Sequence, residues 1–173
     1  MKKEISIIIG SGVIGSYLAK LLIAKNHKVI VTSRKIKISY INYNKLDVER
    51  KVTFEKLNVL KKKDILKILK KYSPNNIFYF SGQSSLTKSI NLKRLTNDSN
   101  YVGAKKFLEI LYRHKIKSKF YKANSGYIFE QKNGLINIRS KISKNKNPYI
   151  QSQIKAYHEV KKFRKKGVNC SSL

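Results

Sequence analysis

The chain has 173 residues, room for one compact domain of ordinary size rather than two. Its 39 lysines and arginines against 9 acids leave a formal charge of +30, yet a hydrophobic fraction of 41% with 11 tyrosines and 7 phenylalanines excludes wholesale disorder, because that much apolar side chain can fill a core. The single cysteine, Cys170, excludes an internal disulfide framework, and no apolar run approaches the roughly 18 residues of a membrane span or the core of a secretory signal, so a cytoplasmic protein is expected.

In chain order, apolar runs alternate with segments of helical period. Ile5–Ile9 reads as a first strand, Val13–Ala24 as a helix and Lys28–Thr32 as a second strand. Thr53–Val59 reads as a third strand, and Lys62–Tyr72 as a helix whose Ile65, Leu66, Ile68, Leu69 and Tyr72 share a face. After the turn signal Ser73-Pro74-Asn75 comes a fourth strand at Asn76–Phe80, then a long helix over Asp98–Lys115. A fifth strand at Phe120–Ala123, a polar and basic loop at Gly134–Asn147 expected to be mobile, a helix at Tyr149–Lys165 and a sixth strand from Val168 to Leu173 complete the series. Strands alternating with helices predict an α/β fold with a doubly wound parallel sheet of about six strands, Rossmann-like, spanning residues 1–173 as one domain. The aromatics Tyr40, Tyr43, Phe54 and Phe78–Phe80 read as core.

Between the first strand and its helix stands Gly10-Ser11-Gly12-Val13-Ile14-Gly15, a G-x-G-x-x-G pattern. Gly10 permits the tight turn, Gly12 lets backbone approach a pyrophosphate, and Gly15 lets helix pack on strand, while the first amides of the helix face the phosphates. A dinucleotide site is therefore expected. At the end of the second strand, where NAD-binding chains carry an acid for the two ribose hydroxyls, this chain has Thr32-Ser33-Arg34-Lys35. Hydroxyls beside two cations favour a 2′-phosphate, so NADP is expected before NAD; the competing reading is that Arg34 and Lys35 are two more solvated cations of a basic chain.

Further along, Gly15-Ser16-Tyr17-Leu18-Ala19, Leu57-Asn58-Val59, Phe80-Ser81-Gly82-Gln83-Ser84, Asn100-Tyr101-Val102-Gly103-Ala104, Ala123-Asn124-Ser125 and Asn147-Pro148-Tyr149 follow in order. Together they resemble the extended short-chain dehydrogenases/reductases, the NAD-dependent epimerase/dehydratase family, and within it the GDP-mannose 4,6-dehydratases. The resemblance implies that Asn58 and Val59 lie at adenine, Asn58 standing where the family has Asp, and that Phe80, Ser81 and Gly82 border the cofactor. It also implies that Ser125 and Tyr149 meet the sugar hydroxyl. In that chemistry a tyrosine takes the hydroxyl proton while hydride passes between the sugar carbon and the nicotinamide; the family's lysine four residues on favours the phenolate and holds the ribose. Here position 153 is Gln. Lys155 does not replace it, since six residues are about 600° of helix and leave it about 120° off the Tyr149 face. The dehydratase's carboxylate two residues after the catalytic hydroxyl is replaced by Tyr127.

The resemblance further implies that about half of a full-length enzyme is present and that the substrate-binding domain is absent, through a truncated gene, a split gene or a degenerate paralogue. Exposed apolar edges are then expected, with a homodimer or complementation by a separate C-terminal half as the partner. Among other features, His158-Glu159 lacks a second His at ligand spacing and His27 and His114 lie elsewhere, so no metal site is expected. Only Arg34, Arg50, Arg94, Arg113, Arg139 and Arg164 are arginines; the excess is lysine, in runs such as Lys61-Lys62-Lys63 that suit solvated helix faces, which argues against nucleic acid as a partner. Three readings stand: an NADP-dependent dehydratase-like enzyme acting on a nucleotide sugar such as GDP-mannose; an epimerase or reductase relative, or a cofactor-binding remnant, without dehydratase turnover; and a basic polyanion or nucleic-acid binder.

Overall fold

The computed structural model describes residues 3–35, 40–131, 134–137 and 139–172. Strands β1 (Ile5–Ile9), β2 (Lys28–Ser33), β3 (Thr53–Lys56), β4 (Asn76–Tyr79), β5 (Lys119–Lys122) and β6 (Cys170–Ser172) form one sheet in the order β3-β2-β1-β4-β5-β6. All five neighbouring pairs are parallel, with Ile9 level with Thr32 on one side and with Tyr79 on the other. The helices are α1 (Val13–Ala24), α2 (Tyr40–Lys45), α3 (Lys62–Tyr72), α4 (Leu86–Asn91), α5 (Lys93–Asn97), α6 (Gly103–Arg113) and α7 (Pro148–Lys165). The doubly wound expectation is met.

Helices on both faces explain why the strands read as unbroken apolar runs. Ile7, Ile9, Ile30, Ile77, Tyr79 and Phe120 pack on one face with residues of α3, α6 and α7 such as Ile65, Phe107 and Phe163. Ile8, Val29 and Val31 pack on the other face with Ala19, Leu22 and Tyr43. Each large apolar side chain so buried contributes roughly 1.5–3 kcal/mol. No helix among the described residues is long and apolar enough to cross a membrane.

Several elements differ from the sequence expectation. The third strand stops at Lys56, because Asn58 Oδ1 accepts from Leu60 N (3.0 Å) and turns the chain off the sheet. Helix α2 is built from weak helix formers and is held by the fully buried Tyr43, whose ring meets Phe54 edge-on at 5.1 Å; the side chain of Tyr40 lies outside the described residues. Helices α4 and α5 come from a Ser-, Thr- and Asn-rich stretch with no clear period, α4 being capped by Ser85 Oγ, which accepts from Lys88 N. The long helix expected from Asp98 starts earlier, at Lys93, and passes through a π-helical turn at Asp98–Val102 before α6. The loop expected to be mobile is tied down: Phe129 pairs with Ile142, Glu130 N donates to Lys141 O and Ser143 N to Ile128 O. Leu173, the expected end of the sixth strand, lies outside the described residues.

The strand order reverses between β1 and β4: β2 and β3 are added on one side of β1, and β4, β5 and β6 on the other. Chains with this topology open a crevice beyond the carboxyl ends of the strands at that point, and the candidate site lies there.

Candidate functional site

The β1–α1 turn is shaped by three glycines with three different duties. Gly10 has φ +107°, its N–H donates to Thr32 O (3.1 Å), and a Cβ there would stand 2.9 Å from Ser81 N, so the turn touches the exit of β4 through a position only glycine fills. A Cβ on Gly12 would meet nothing within 4 Å, which leaves open backbone at the helix mouth. A Cβ on Gly15 would lie 2.7 Å from Gly10 O and 3.2 Å from Ile8 Cγ2, so its absence seats α1 on β1. The first bond of the helical ladder runs from Ser16 N to Gly12 O; the amides of Val13, Ile14 and Gly15 precede it, with neither a side-chain cap nor an acid in the first turn to neutralise them.

The turn forms one wall of a groove of about 840 Å³, a size common for small-molecule sites. The other walls are Ser33, Arg34 and Lys35 after β2, Leu57 and Val59 after β3, and Phe80 to Gln83 after β4, with Leu95 and Ser99 as a lid edge. Among the described residues none that lines the groove is acidic, and Arg34 and Lys35 are exposed. The open backbone, the uncapped helix start and the cations together fit an elongated polyanionic ligand of the dinucleotide kind.

Of the sequence-predicted residues, the groove brings together Gly10, Gly12, Ser33, Arg34, Val59, Phe80, Ser81 and Gly82. Thr32 borders it but is 1% exposed, with its hydroxyl donated to Ile8 O, so the half-buried Ser33, whose hydroxyl is bonded to the backbone of Lys35 (3.3 Å), is the hydroxyl within reach at the strand end. Asn58 is absent from the wall: its carbonyl is committed to Leu60 N and its neighbours Leu57 and Val59 face the groove instead. Val13 and Ile14 stand exposed at the rim, and Gly15 lies behind the turn.

Sequence reading passed over Ser11, Leu57, Gln83, Leu95 and Ser99 as wall residues. Leu95 sits on α5, which carried no legible helical signal, and Ser99 on the π-helical turn that occupies the start of the helix expected over Asp98–Lys115. That turn has structural work: Tyr79 Oη donates to Ser99 O (2.7 Å), Gln83 N donates to Ser99 Oγ (3.3 Å), and Asn100 Nδ2 donates to both Gln83 O and Ser152 Oγ (3.0 Å each). A Cβ on Gly82 would run into Asn100 Oδ1, so the glycine is what lets Asn100 tie the β4 exit to α7.

At the β5–α7 end, Ser125 is half-buried and its Oγ accepts from Tyr127 N (3.3 Å), capping a single 3-10 turn at Gly126–Ile128. Asn147 caps α7, its Oδ1 accepting from Tyr149 N (2.9 Å) and from Ser89 Oγ (3.1 Å) while its Nδ2 donates to Leu86 O. With Pro148 in the first turn, this cap fixes where Tyr149 begins the helix. Tyr149 is buried in a small cluster with Ile128, Ile150 and Ile154, so the turn after Ser125 and the start of α7 pack directly. Tyr127 is 53% exposed and Lys155 is exposed on the far side of α7. Gln153 is buried and accepts, through Oε1, a hydrogen bond from Lys122 Nζ at 3.0 Å. Lys122, the last residue of β5, is 2% exposed, and burial pushes its ammonium down to about 7. Sequence reading passed over this lysine; the available signal was a cation sharing the inward face of a strand with Phe120. Among the described residues no group of three His, Cys, Asp or Glu could hold a metal ion.

The sequence model of GDP-mannose 4,6 dehydratase matches residues 7–172 of the chain. No curated protein sequence matches it. Among solved structures, the UDP-glucose 4-epimerase of Brucella ovis in complex with NAD superposes with a TM-score of 0.83 at 17% identity, covering 98% of this chain and 50% of the epimerase. The UDP-Glc/GlcNAc 4-epimerase of Campylobacter jejuni gives 0.85 at 16% identity over 98% and 51%. The dTDP-glucose 4,6-dehydratase of Streptomyces venezuelae, solved with NAD, gives 0.82 at 16% identity over 97% and 54%. The chain thus spans about half the length of the solved structures it matches, and at these identities the likeness shows the fold.

Proposed function

The chain belongs to the GDP-mannose 4,6 dehydratase family, and from that premise we propose that it binds NADP and serves the oxidation of a hexose hydroxyl in a nucleotide sugar such as GDP-mannose, in the manner of a 4,6-dehydratase. The observation that carries the reading is the groove itself: open backbone at Gly12, three first-turn amides without helical acceptors, and a wall without a carboxylate among the described residues. Gly10, Gly12 and the amides of Val13, Ile14 and Gly15 would hold the pyrophosphate, and Phe80, Ser81 and Gly82 the path between its two halves. Several solved structures similar to the chain carry NAD. The preference for NADP rests on the strand end, where Ser33, Arg34 and Lys35 offer a hydroxyl and two exposed cations and no acid to bond both ribose hydroxyls. A bound nicotinamide supplies the acceptor for the hydride leaving the sugar carbon. Ser125 holds the sugar oxygen by its hydroxyl and Tyr149 receives the proton, roles these positions take from the family.

A specific observation favours a second reading, oxidation without elimination of water. Removal of the proton beside the new ketone needs a base, and position 127 carries an exposed phenol where the dehydratases place a carboxylate. Conversion of GDP-mannose to its 4-keto-6-deoxy product supports the first reading, and dinucleotide binding without that product supports the second. The cofactor reading is tested by fluorescence titration of the purified protein with NADPH and with NADH. Tighter binding of NADPH is expected; equal or tighter NADH would overturn the preference, and binding of neither would overturn the reading, leaving the charge-driven polyanion class.

A family homodimer through the outer faces of α6 and α7 would set lysines such as Lys105, Lys155 and Lys162 near their copies, so it should form more readily as salt rises.

A further inference from the structure

Lys122 is an expensive residue. An ammonium taken out of water costs several kcal/mol unless anions or strong acceptors meet it. Among the described residues no carboxylate pairs with Lys122: its Nζ donates to the carbonyl of Ala123 and to Gln153 Oε1 (3.0 Å), and it lies 5.8 Å from the centre of the Tyr79 ring. Both acceptors are neutral oxygens, and an ammonium has three N–H groups. A structural cation of this kind would be better replaced by methionine, which fills the same volume without the desolvation cost.

Its position says what the charge is for. Lys122 ends β5, level with Tyr79 at the end of β4 and with Ser172 on β6. It therefore stands at the carboxyl ends of the strands, where ligands of such sheets bind, and Tyr79 immediately precedes the Phe80–Gln83 wall of the groove. Its ammonium touches the tip of the side chain at position 153, one helical turn after Tyr149 and only about 40° around the helix from it. A lysine at position 153 would have to end close to where Lys122 Nζ already is. The charge that α7 does not carry thus arrives from β5, across the interface between strand and helix.

We propose that Lys122 is the cation of this site, its ammonium held in place by Gln153 and presented to the bound dinucleotide and the sugar oxygens beside Tyr149. The proposal rests on the dinucleotide reading above and goes beyond it by naming a strand residue that no pattern in α7 reveals. Gln153 is then a positioning residue: its carbonyl fixes the ammonium and its neutrality avoids a second buried charge.

The test is a charge swap in the full chain. NADPH affinity is measured by fluorescence for the wild type, Lys122→Gln, Lys122→Met and the double variant Lys122→Gln/Gln153→Lys, with circular dichroism and thermal melting to establish that each is folded. Loss of one charge-assisted hydrogen bond should weaken binding about tenfold in both single variants, and the swap should recover most of that loss because it returns the ammonium to the same place from the other element. Recovery in the swap is a readout that lost packing alone would not give. Folded single variants that bind NADPH as the wild type does would overturn the role of Lys122 while leaving the dinucleotide reading intact. A folded swap no better than Lys122→Gln would overturn it as well. A wild type that binds neither NADPH nor NADH would overturn the dinucleotide reading itself, and the lysine's role with it. Lys122→Met keeps the test open if glutamine in that dry position prevents folding.

Discussion

The glycine-turn end and the β5–α7 end of the candidate site are built on opposite plans. At the β1–α1 turn, everything that shapes the groove is contained in six consecutive residues, 10 to 15, and the working groups are backbone: a positive φ at Gly10, open space at Gly12, amides ahead of the helical ladder. At the β5–α7 end the working groups are side chains gathered from far apart, with Lys122 and Gln153 separated by 31 positions and Asn100 and Ser152 by 52. A backbone site depends on glycines and tolerates side-chain drift around it. A side-chain site can keep a charge in place while changing which element supplies it.

The sharpest way to probe the contrast is to remove the buried charge and follow stability against pH. In the unfolded chain Lys122 has an ordinary lysine pKa of about 10.4, whereas in the fold it lies at about 7. Between those values the unfolded state binds more protons, so stability rises with pH across that window, by up to ~5 kcal/mol, and is flat in this respect below it. Denaturant titrations between about pH 7 and pH 10 should show the slope in wild type and lose it in Lys122→Met, which should also be the more stable protein at neutral pH. A wild type without the slope would mean that the ammonium is solvated. Above about pH 10 burial of Tyr43 and Tyr79, which pushes both phenols up, turns the trend downward, because only the unfolded chain then ionises them.

Next in size is Gly10→Ala. A side chain at φ +107° that also meets Ser81 N at 2.9 Å should cost about 3 kcal/mol, read as a lower midpoint in urea, and should abolish dinucleotide binding; a mild effect would mean that the turn can open. Gly12→Ala, with open space around its Cβ, should leave stability within about 1 kcal/mol and act on ligand binding alone. Comparison of these two glycines separates a fold requirement from an approach requirement.

Smaller still is Arg34→Glu, expected to shift the ratio of NADPH to NADH affinity about tenfold toward NADH by giving a 2′-phosphate a repelling partner and ribose hydroxyls an acceptor. An unchanged ratio would assign Arg34 to solvent. Asn147→Ala removes the cap of α7 and the tie to Leu86 and Ser89, and should cost about 1 kcal/mol of stability. If it also weakens nucleotide binding, the α4–α7 tie reaches the site; if not, the cap serves the helix alone.

Legibility in the sequence followed the same division. The six parallel strands and the helices of strong period were readable because alternation of apolar runs reports burial on both faces, and the glycine turn was readable because its geometry is local. Helix α2 and helices α4 and α5 were not, since Tyr43 and Ser85 hold them by tertiary packing and capping rather than by propensity. The loop before α7 read as mobile because it is polar, yet Ile142 pins it to Phe129. Asn58 reads as a ligand contact by its place in a pattern, and the turn it makes at the end of β3, with its carbonyl accepting from Leu60 N, is a second duty that the pattern does not show.

By itself the sequence determined the doubly wound sheet, the position of the glycine turn and the absence of charge at position 127 and on position 153 itself, because each is a matter of period, backbone permission or residue identity at one place. Only the tertiary structure decided that Thr32 turns inward, that α5 and a π-helical turn close the groove, and that an ammonium stands at residue 153 after all. Those facts depend on which side chains of distant segments point at one another, and a buried charge is fixed by where it ends, not by the strand or helix from which it starts.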